Sequence, residues 1–197
     1  MLKEAGILFA ITLIAGLLLG VVNELTSEPI RIQQEKAVQE ACRAVFETAA
    51  SFEELEYTLT PELTEELSDM GVRIGNVYEA SGSDGALQGY VLESVSTEGY
   101  GGNIVLYLGV RLDGTLNDIS ILEISETAGL GMLAPEELVP QFHSKNVESF
   151  VYTKTGAAAE NEIDAIAGAT ITTKAVTNGV NGGLKAANAL MGGDHNE

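Results

Sequence analysis

The sequence predicts an α+β fold: an antiparallel sheet meander covered by helices, preceded by one N-terminal transmembrane helix. Three observations carry this. Ala5–Val22 is an uncharged apolar run. Four segments between residues 72 and 125 alternate apolar and polar side chains with a period of two. Helical patterns with one apolar stripe flank them, at 29–50 and 172–191.

"AGILFAITLIAGLLLGVV", residues 5–22, spans roughly 27 Å at helical rise, close to the thickness of a hydrocarbon core. The competing reading is a cleaved secretory signal peptide. Lys3 is balanced by Glu4, no small-x-small cleavage site precedes a polar start, and no cysteine ends the run. These features favour an uncleaved anchor over residues 1–28. Lys3 and the start amine precede the span, and "NELTSEPIR" follows it with more acid than base. That asymmetry predicts a single-pass protein of the cell (inner, cytoplasmic) membrane, with a cytoplasmic N-terminus and residues 29–197 as an extracytoplasmic domain.

Pro29 is read as the exit from the anchor. Ile30, Gln34, Ala37, Val38, Ala41, Cys42, Val45, Phe46 and Ala49 then recur at three- and four-residue spacings, which predicts an amphipathic helix. The acidic stretch 51–70 is weakly patterned and holds either a short helix or a solvated loop. "VRIGNVYEA" (72–80), "LQGYVLESVS" (87–96), "NIVLYLGVRL" (103–112) and "TLNDISILEIS" (115–125) read as strands. Asp113-Gly114 and "SGSDG" (81–85) are turn signals between them. One sheet face needs cover, supplied by a short helix from Pro135 to about Lys145 and a long one from Thr172, with Thr172 and Thr173 as N-cap types.

Composition removes whole classes of function. Ten basic against 29 acidic residues leave a net charge of −19. Nucleic-acid binding, which draws on basic side chains, is excluded on that balance. One cysteine, Cys42, rules out an internal disulfide framework and a cysteine-held metal or iron–sulfur site. His143 and His195 stand far apart, so no histidine metal site is expected, and only oxygen-ligand sites remain open.

Three loops concentrate glycine: "EGYGGN" (98–103), "SETAGLGM" (125–132) and "DAIAGATITTK" (164–174). The third opens a helix behind Gly168 and Ala169. Unpaired N–H groups and the positive helix end there suit a phosphate, with Lys174 and the threonine hydroxyls to assist. A plain capped helix is the alternative. It is not a P-loop, because no Gly-Lys-Ser/Thr follows. No base in sequence view would activate Thr170, so no catalytic residue is assigned. In the second loop, Gly129 and Gly131 flank Leu130 and would admit a flat ring, with Glu126 as acceptor for a ring N–H. In the first, Tyr100 and Gly101 offer a stacking aromatic on permissive backbone. Each of these two loops also reads as an ordinary connection.

Together the blocks resemble a known family. "DAIAGATITTKAV" (164–176) resembles the Ser/Thr-Gly-Ala-Thr flavinylation motif of the covalent FMN-binding domain family. "SETAGLG" is similar to its Glu-Thr-Pro-Gly-Leu-Gly loop, and "GYGGNIVLYLGVRLDGTLNDISILE" to its Gly-Tyr-Gly-Gly hairpin. Order, spacing and the N-terminal span are similar to the G subunits of Rnf electron-transport complexes. The related C subunits of sodium-pumping NADH:quinone oxidoreductases are the second choice. Ala167 stands where the family usually has Ser or Thr, and Ala128 where it usually has Pro.

The resemblance implies that FMN is carried covalently, as a phosphoester on Thr170, attached by a separate flavin transferase that reads Asp164. The phosphate would sit near Gly168, Ala169, Thr172, Thr173 and Lys174. The ring would lie against Glu126, Thr127, Gly129, Leu130, Gly131 and Met132, and against Tyr100 and Gly101. The implied role is relay of electrons in an ion-translocating ferredoxin:NAD+ oxidoreductase (Rnf-type), as a carrier working with other membrane subunits. A free-standing flavinylated electron-transfer domain, or a non-redox anchored scaffold, are the alternatives.

Overall fold

The computed structural model describes residues 2–192, so His195 lies outside the described residues. The chain divides into two compact units, Met1–Val38 and Gln39–Glu197.

The first unit is helical. Helix α1 (Leu2–Val45) begins in it. Among the described residues this is the one helix long and apolar enough to cross a membrane, with mean hydropathy 2.6 over its most apolar window and none of that window buried. Pro29, read as the exit from the anchor, does not end the helix: α1 continues through it. Proline removes one backbone hydrogen bond and crowds the preceding turn, but does not by itself stop a helix held on both sides. Here Thr26 Oγ1 donates to Val22 O (2.9 Å) on one side, Arg31 pairs with Glu28 (2.7 Å) across it, and Arg31 pairs with Glu35 (2.5 Å) on the other side.

The second unit begins with the end of α1. It continues through β1 (Ser51–Glu54), α2 (Pro61–Asp69), β2 (Val72–Ser81), β3 (Leu87–Ser96), β4 (Ile104–Arg111) and β5 (Leu116–Glu123). A 3-10 turn (Gly131–Leu133), α3 (Ala134–Glu137) and another 3-10 turn (Val139–Phe142) follow, then β6 (Val151–Thr153), β7 (Glu162–Asp164) and α4 (Thr170–Gly192). The five strands β1–β5 form one antiparallel sheet in sequence order, as a meander; β6 and β7 make a separate parallel pair.

The four expected strands are present. The Asp113-Gly114 turn closes as anticipated: Gly114 has φ 81°, and Thr115 N donates to Asp113 Oδ1 (2.9 Å). The acidic stretch hides two elements. Edge strand β1 is short and mostly exposed, so it shows no apolar alternation. Helix α2 is one apolar residue deep, burying Leu67 behind the Thr60 cap and Pro61. The helix expected from Pro135 to Lys145 is broken instead into α3 and its flanking 3-10 turns.

Cover on one face is also corrected, because both faces of the sheet are packed. On one, Ile104, Leu106, Leu108 and Val110 of β4 meet Val176, Val180, Leu184 and Ala187 of α4. Approach is close: a Cβ on Gly179 would stand 2.5 Å from Leu106 Cδ1, and Ser94 Oγ donates to Gly179 O (2.8 Å). On the other face, Tyr107 and Gly109 point at the end of α1. A Cβ on Gly109 would lie 2.4 Å from Val45 O, and Asn117 Nδ2 donates to that same carbonyl (2.6 Å). Ala41, Cys42, Val45 and Phe46 are buried there. The stripe seen in the sequence is real, but its buried part is only its C-terminal end.

Candidate functional site

The three glycine loops converge. Strand β3 delivers the 97–103 hairpin, β5 delivers 124–131, and β7 delivers the loop that enters α4. Between them lies a cleft of about 470 Å³. Tyr100 lines it from the first loop; Glu126, Thr127, Leu130 and Gly131 from the second; Gly168, Ala169, Thr170, Ile171 and Thr172 from the third.

Local geometry explains the glycines. A Cβ on Gly101 would fall 1.8 Å from Ser125 O, so the hairpin lies directly against the second loop. Gly168 has φ 79°, a left-handed turn that redirects the chain into α4. Helix α4 begins at Thr170, two residues before the expected start. Its first backbone bond is Thr173 N to Ala169 O (2.9 Å), which leaves the N–H groups of residues 170–172 ahead of the helical ladder. No acidic residue occupies the first turn.

Thr172 and Thr173 are therefore not the N-cap. Both are buried. Thr172 Oγ1 donates to Glu126 Oε2 (2.8 Å). Thr173 Oγ1 donates to Ala169 O (3.0 Å) and accepts from Ile166 N (3.2 Å), which pins the third loop to the helix. Lys174 Nζ is paired with Glu98 Oε2 (2.8 Å), and that carboxylate raises the lysine's pKa. Thr170 is half-buried at the mouth of the cleft.

Asp164 ends β7. Its Oδ1 accepts from Ala157 N (2.6 Å), and its backbone pairs with the carboxamide of Gln141: N to Oε1 2.7 Å, Nε2 to O 3.2 Å. Sequence reasoning misses Gln141, because a glutamine in a polar turn carries no signal. It misses Ile171 as well. That side chain is half-exposed, while Thr172 and Thr173 turn inward; an apolar residue on the outer side of a helix start is the available clue. Gly129 forms a left-handed turn (φ 74°), and Met132 is exposed beside the cleft, its N–H donating to Thr127 O (3.2 Å).

Aromatic and aliphatic side chains rim the cleft without filling it: Tyr100, Leu130 and Ile171 are 71%, 39% and 52% exposed. An apolar-walled slot that opens onto an uncapped helix start fits a planar ring bearing a phosphate.

The model of the FMN-binding domain family matches residues 99–185, which contain the second and third loops and the first from Gly99 on. The G subunit of the Na(+)-translocating ferredoxin:NAD(+) oxidoreductase complex of Acetobacterium woodii is 33% identical over 178 residues, covering 89% of this chain and 86% of that protein. The G subunit of the ion-translocating oxidoreductase complex of Methanosarcina acetivorans is 29% identical, covering 92% of each. Among solved structures, Shewanella oneidensis NqrC superposes with TM-score 0.49 at 18% identity, over 59% of this chain and 58% of that one. At 33% identity to the Acetobacterium woodii subunit over 89% of its length, the chain belongs to the G-subunit family of ion-translocating oxidoreductase complexes.

Proposed function

We propose that this protein is a membrane-anchored electron carrier of an Rnf-type, ion-translocating ferredoxin:NAD+ oxidoreductase complex, with FMN joined to Thr170 by a phosphoester. The observation that carries this is the position of Thr170: first residue of α4, at the mouth of the cleft where the three glycine loops meet.

Thr170 has no base within the motif, and a separate flavin transferase supplies one. The Thr170 oxygen forms the new bond to the FMN phosphorus of FAD, the pyrophosphate bond breaks, AMP leaves and the hydroxyl proton passes to the transferase. The N–H groups of residues 170–172, ahead of the helical ladder at the positive end of α4, would hold the remaining phosphate charge. Leu130, Ile171 and Tyr100 offer apolar surface to the ring. Bound there, the flavin accepts one or two electrons.

Residues 5–22 cross the bilayer in this reading, with the start amine and Lys3 on the cytoplasmic side and residues 29–197 outside. The other membrane subunits are the partners.

Intact-mass spectrometry of the chain co-expressed with a flavin transferase tests the linkage. The expected result is one FMN adduct, lost in Thr170→Ala and kept in Thr170→Ser. An adduct that persists in Thr170→Ala would overturn the assignment. Protease treatment of intact cells tests orientation; protection of residues 30–197 is the contrary result.

A further inference from the structure

The carboxylate of Glu126 is the one acidic group lining the cleft, and it is held on both sides. Its Oε1 accepts from Gly101 N (3.1 Å) in the hairpin, and its Oε2 from Thr172 Oγ1 (2.8 Å) in the first turn of α4. One side chain thus ties all three walls together. Around it the fit is tight: a Cβ on Gly131 would lie 2.7 Å from Glu126 Cβ and 2.5 Å from Thr172 Oγ1.

Both of these hydrogen-bond donors are neutral. The cation nearest in sequence to Thr172, Lys174, is committed to Glu98 (2.8 Å). Among the described residues, a fixed negative charge without a counter-cation therefore borders a slot for a group that gains electrons.

We propose that Glu126 sets the reduction potential of the bound flavin, lowering it by electrostatic opposition to the charge acquired on reduction, with Thr172 and Gly101 holding it in place. This rests on the FMN reading above. Two-electron reduction takes up two electrons and fewer than two protons whenever the reduced ring is anionic. The negative charge so gained is disfavoured beside a carboxylate in a partly dehydrated cleft. A neutral side chain at this position removes that opposition.

The substitutions separate charge from position. Glu126→Gln keeps both links, since its carbonyl accepts from Gly101 N and its amide donates to Thr172 Oγ1. Glu126→Ala removes both. The experiment is a spectroscopic reductive titration of the full-length, FMN-loaded chain with redox mediators, alongside Glu136→Gln on exposed α3 as a control.

Glu126→Gln is expected to favour the reduced flavin by roughly tenfold, about 30 mV upward for a two-electron couple, read on the FMN-loaded fraction. Glu136→Gln is expected to leave the potential where it was. In the flavin-free chain, amide exchange at Gly101 should quicken in Glu126→Ala and not in Glu126→Gln. An unshifted potential in loaded Glu126→Gln, or an equal shift in Glu136→Gln, overturns this proposal alone. A wild-type chain that takes up no flavin overturns the FMN reading too, and its absorption spectrum reveals that before any titration.

Discussion

Asn181 and Phe150 are joined twice: Phe150 N donates to Asn181 Oδ1 at 2.7 Å, and Asn181 Nδ2 donates to Phe150 O at 2.9 Å. A single carboxamide on α4 thereby supplies the backbone pairing of a residue just ahead of β6. Phe150 is buried edge-on against Phe142, with ring centroids 4.9 Å apart. Asn181→Ala leaves the Phe150 N–H without its acceptor and is expected to cost about 1–3 kcal/mol in urea unfolding. Asn181→Asp should be no better, because it turns an acceptor toward the Phe150 carbonyl.

Lys174 tests whether the charge in the first turns of α4 serves the proposed phosphate or the fold. Its pair with Glu98 is about half exposed on both sides and screened by water, so Lys174→Met should leave the melting temperature nearly unchanged. Because Lys174 is already engaged, the yield of flavin adduct should fall less than about twofold, as one exposed pair is weak. Intact mass after co-expression reads the yield, and thermal melts read the stability.

Gly101 and Gly85 make a matched pair of glycine tests. A Cβ on Gly101 meets backbone oxygen at 1.8 Å, whereas one on Gly85 (φ 78°) meets nothing within 4 Å. Gly85→Ala carries backbone strain alone, about 1 kcal/mol, and should leave flavin loading intact. Gly101→Ala must part the hairpin from the second loop, costing about 1–3 kcal/mol, and should reduce loading as well. Equal loading in the two variants would contradict the close approach as a determinant of the cleft.

Alkaline pH should weaken the second unit from the face opposite α4. Burial pushes the Cys42 thiol from 9.0 up to about 12, and it pushes the Tyr107 phenol upward as well. The folded chain keeps these protons while the unfolded chain releases them, so stability falls as pH rises. The contribution of neutral Cys42 is whole below pH 9.0 and is lost as pH climbs from there through about 12. Melting temperature should therefore decline over that window, less steeply in Cys42→Ala. Alkylation of Cys42 at pH 8 should proceed only at the rate of unfolding.

Much of this is legible in the residues, and the exceptions have physical causes. Strands β2–β5 announce themselves because each buries at least one face and their turns carry Asp-Gly or Gly-rich signals. Strand β1 does not, and helix α2 stands only as one of two readings of its stretch, since their surroundings are acidic and they bury little. The convergence of the three loops follows from the family motifs; no spacing in the chain would reveal it. Pro29 marks no break in α1, because proline forbids one hydrogen bond rather than a helix. Thr172 and Thr173 mislead for a different reason. Threonine is an N-cap type, but at helix positions beyond the first its hydroxyl can turn inward, and here one meets Glu126 and the other the loop backbone.

The Asn181 clamp has a chemical lifetime. Asn181 is followed by Gly182, as Asn178 is by Gly179, and Asn-Gly pairs are the ones that cyclise to succinimide and open to aspartate or isoaspartate. Ring closure needs the glycine nitrogen to reach the side-chain carbonyl, and inside α4 that nitrogen is held in the helical ladder. Folding therefore shields both sites from ageing. A molecule that lingers unfolded acquires a carboxylate at 181 and returns to a fold that no longer closes around Phe150, so time spent unfolded is recorded covalently in the chain.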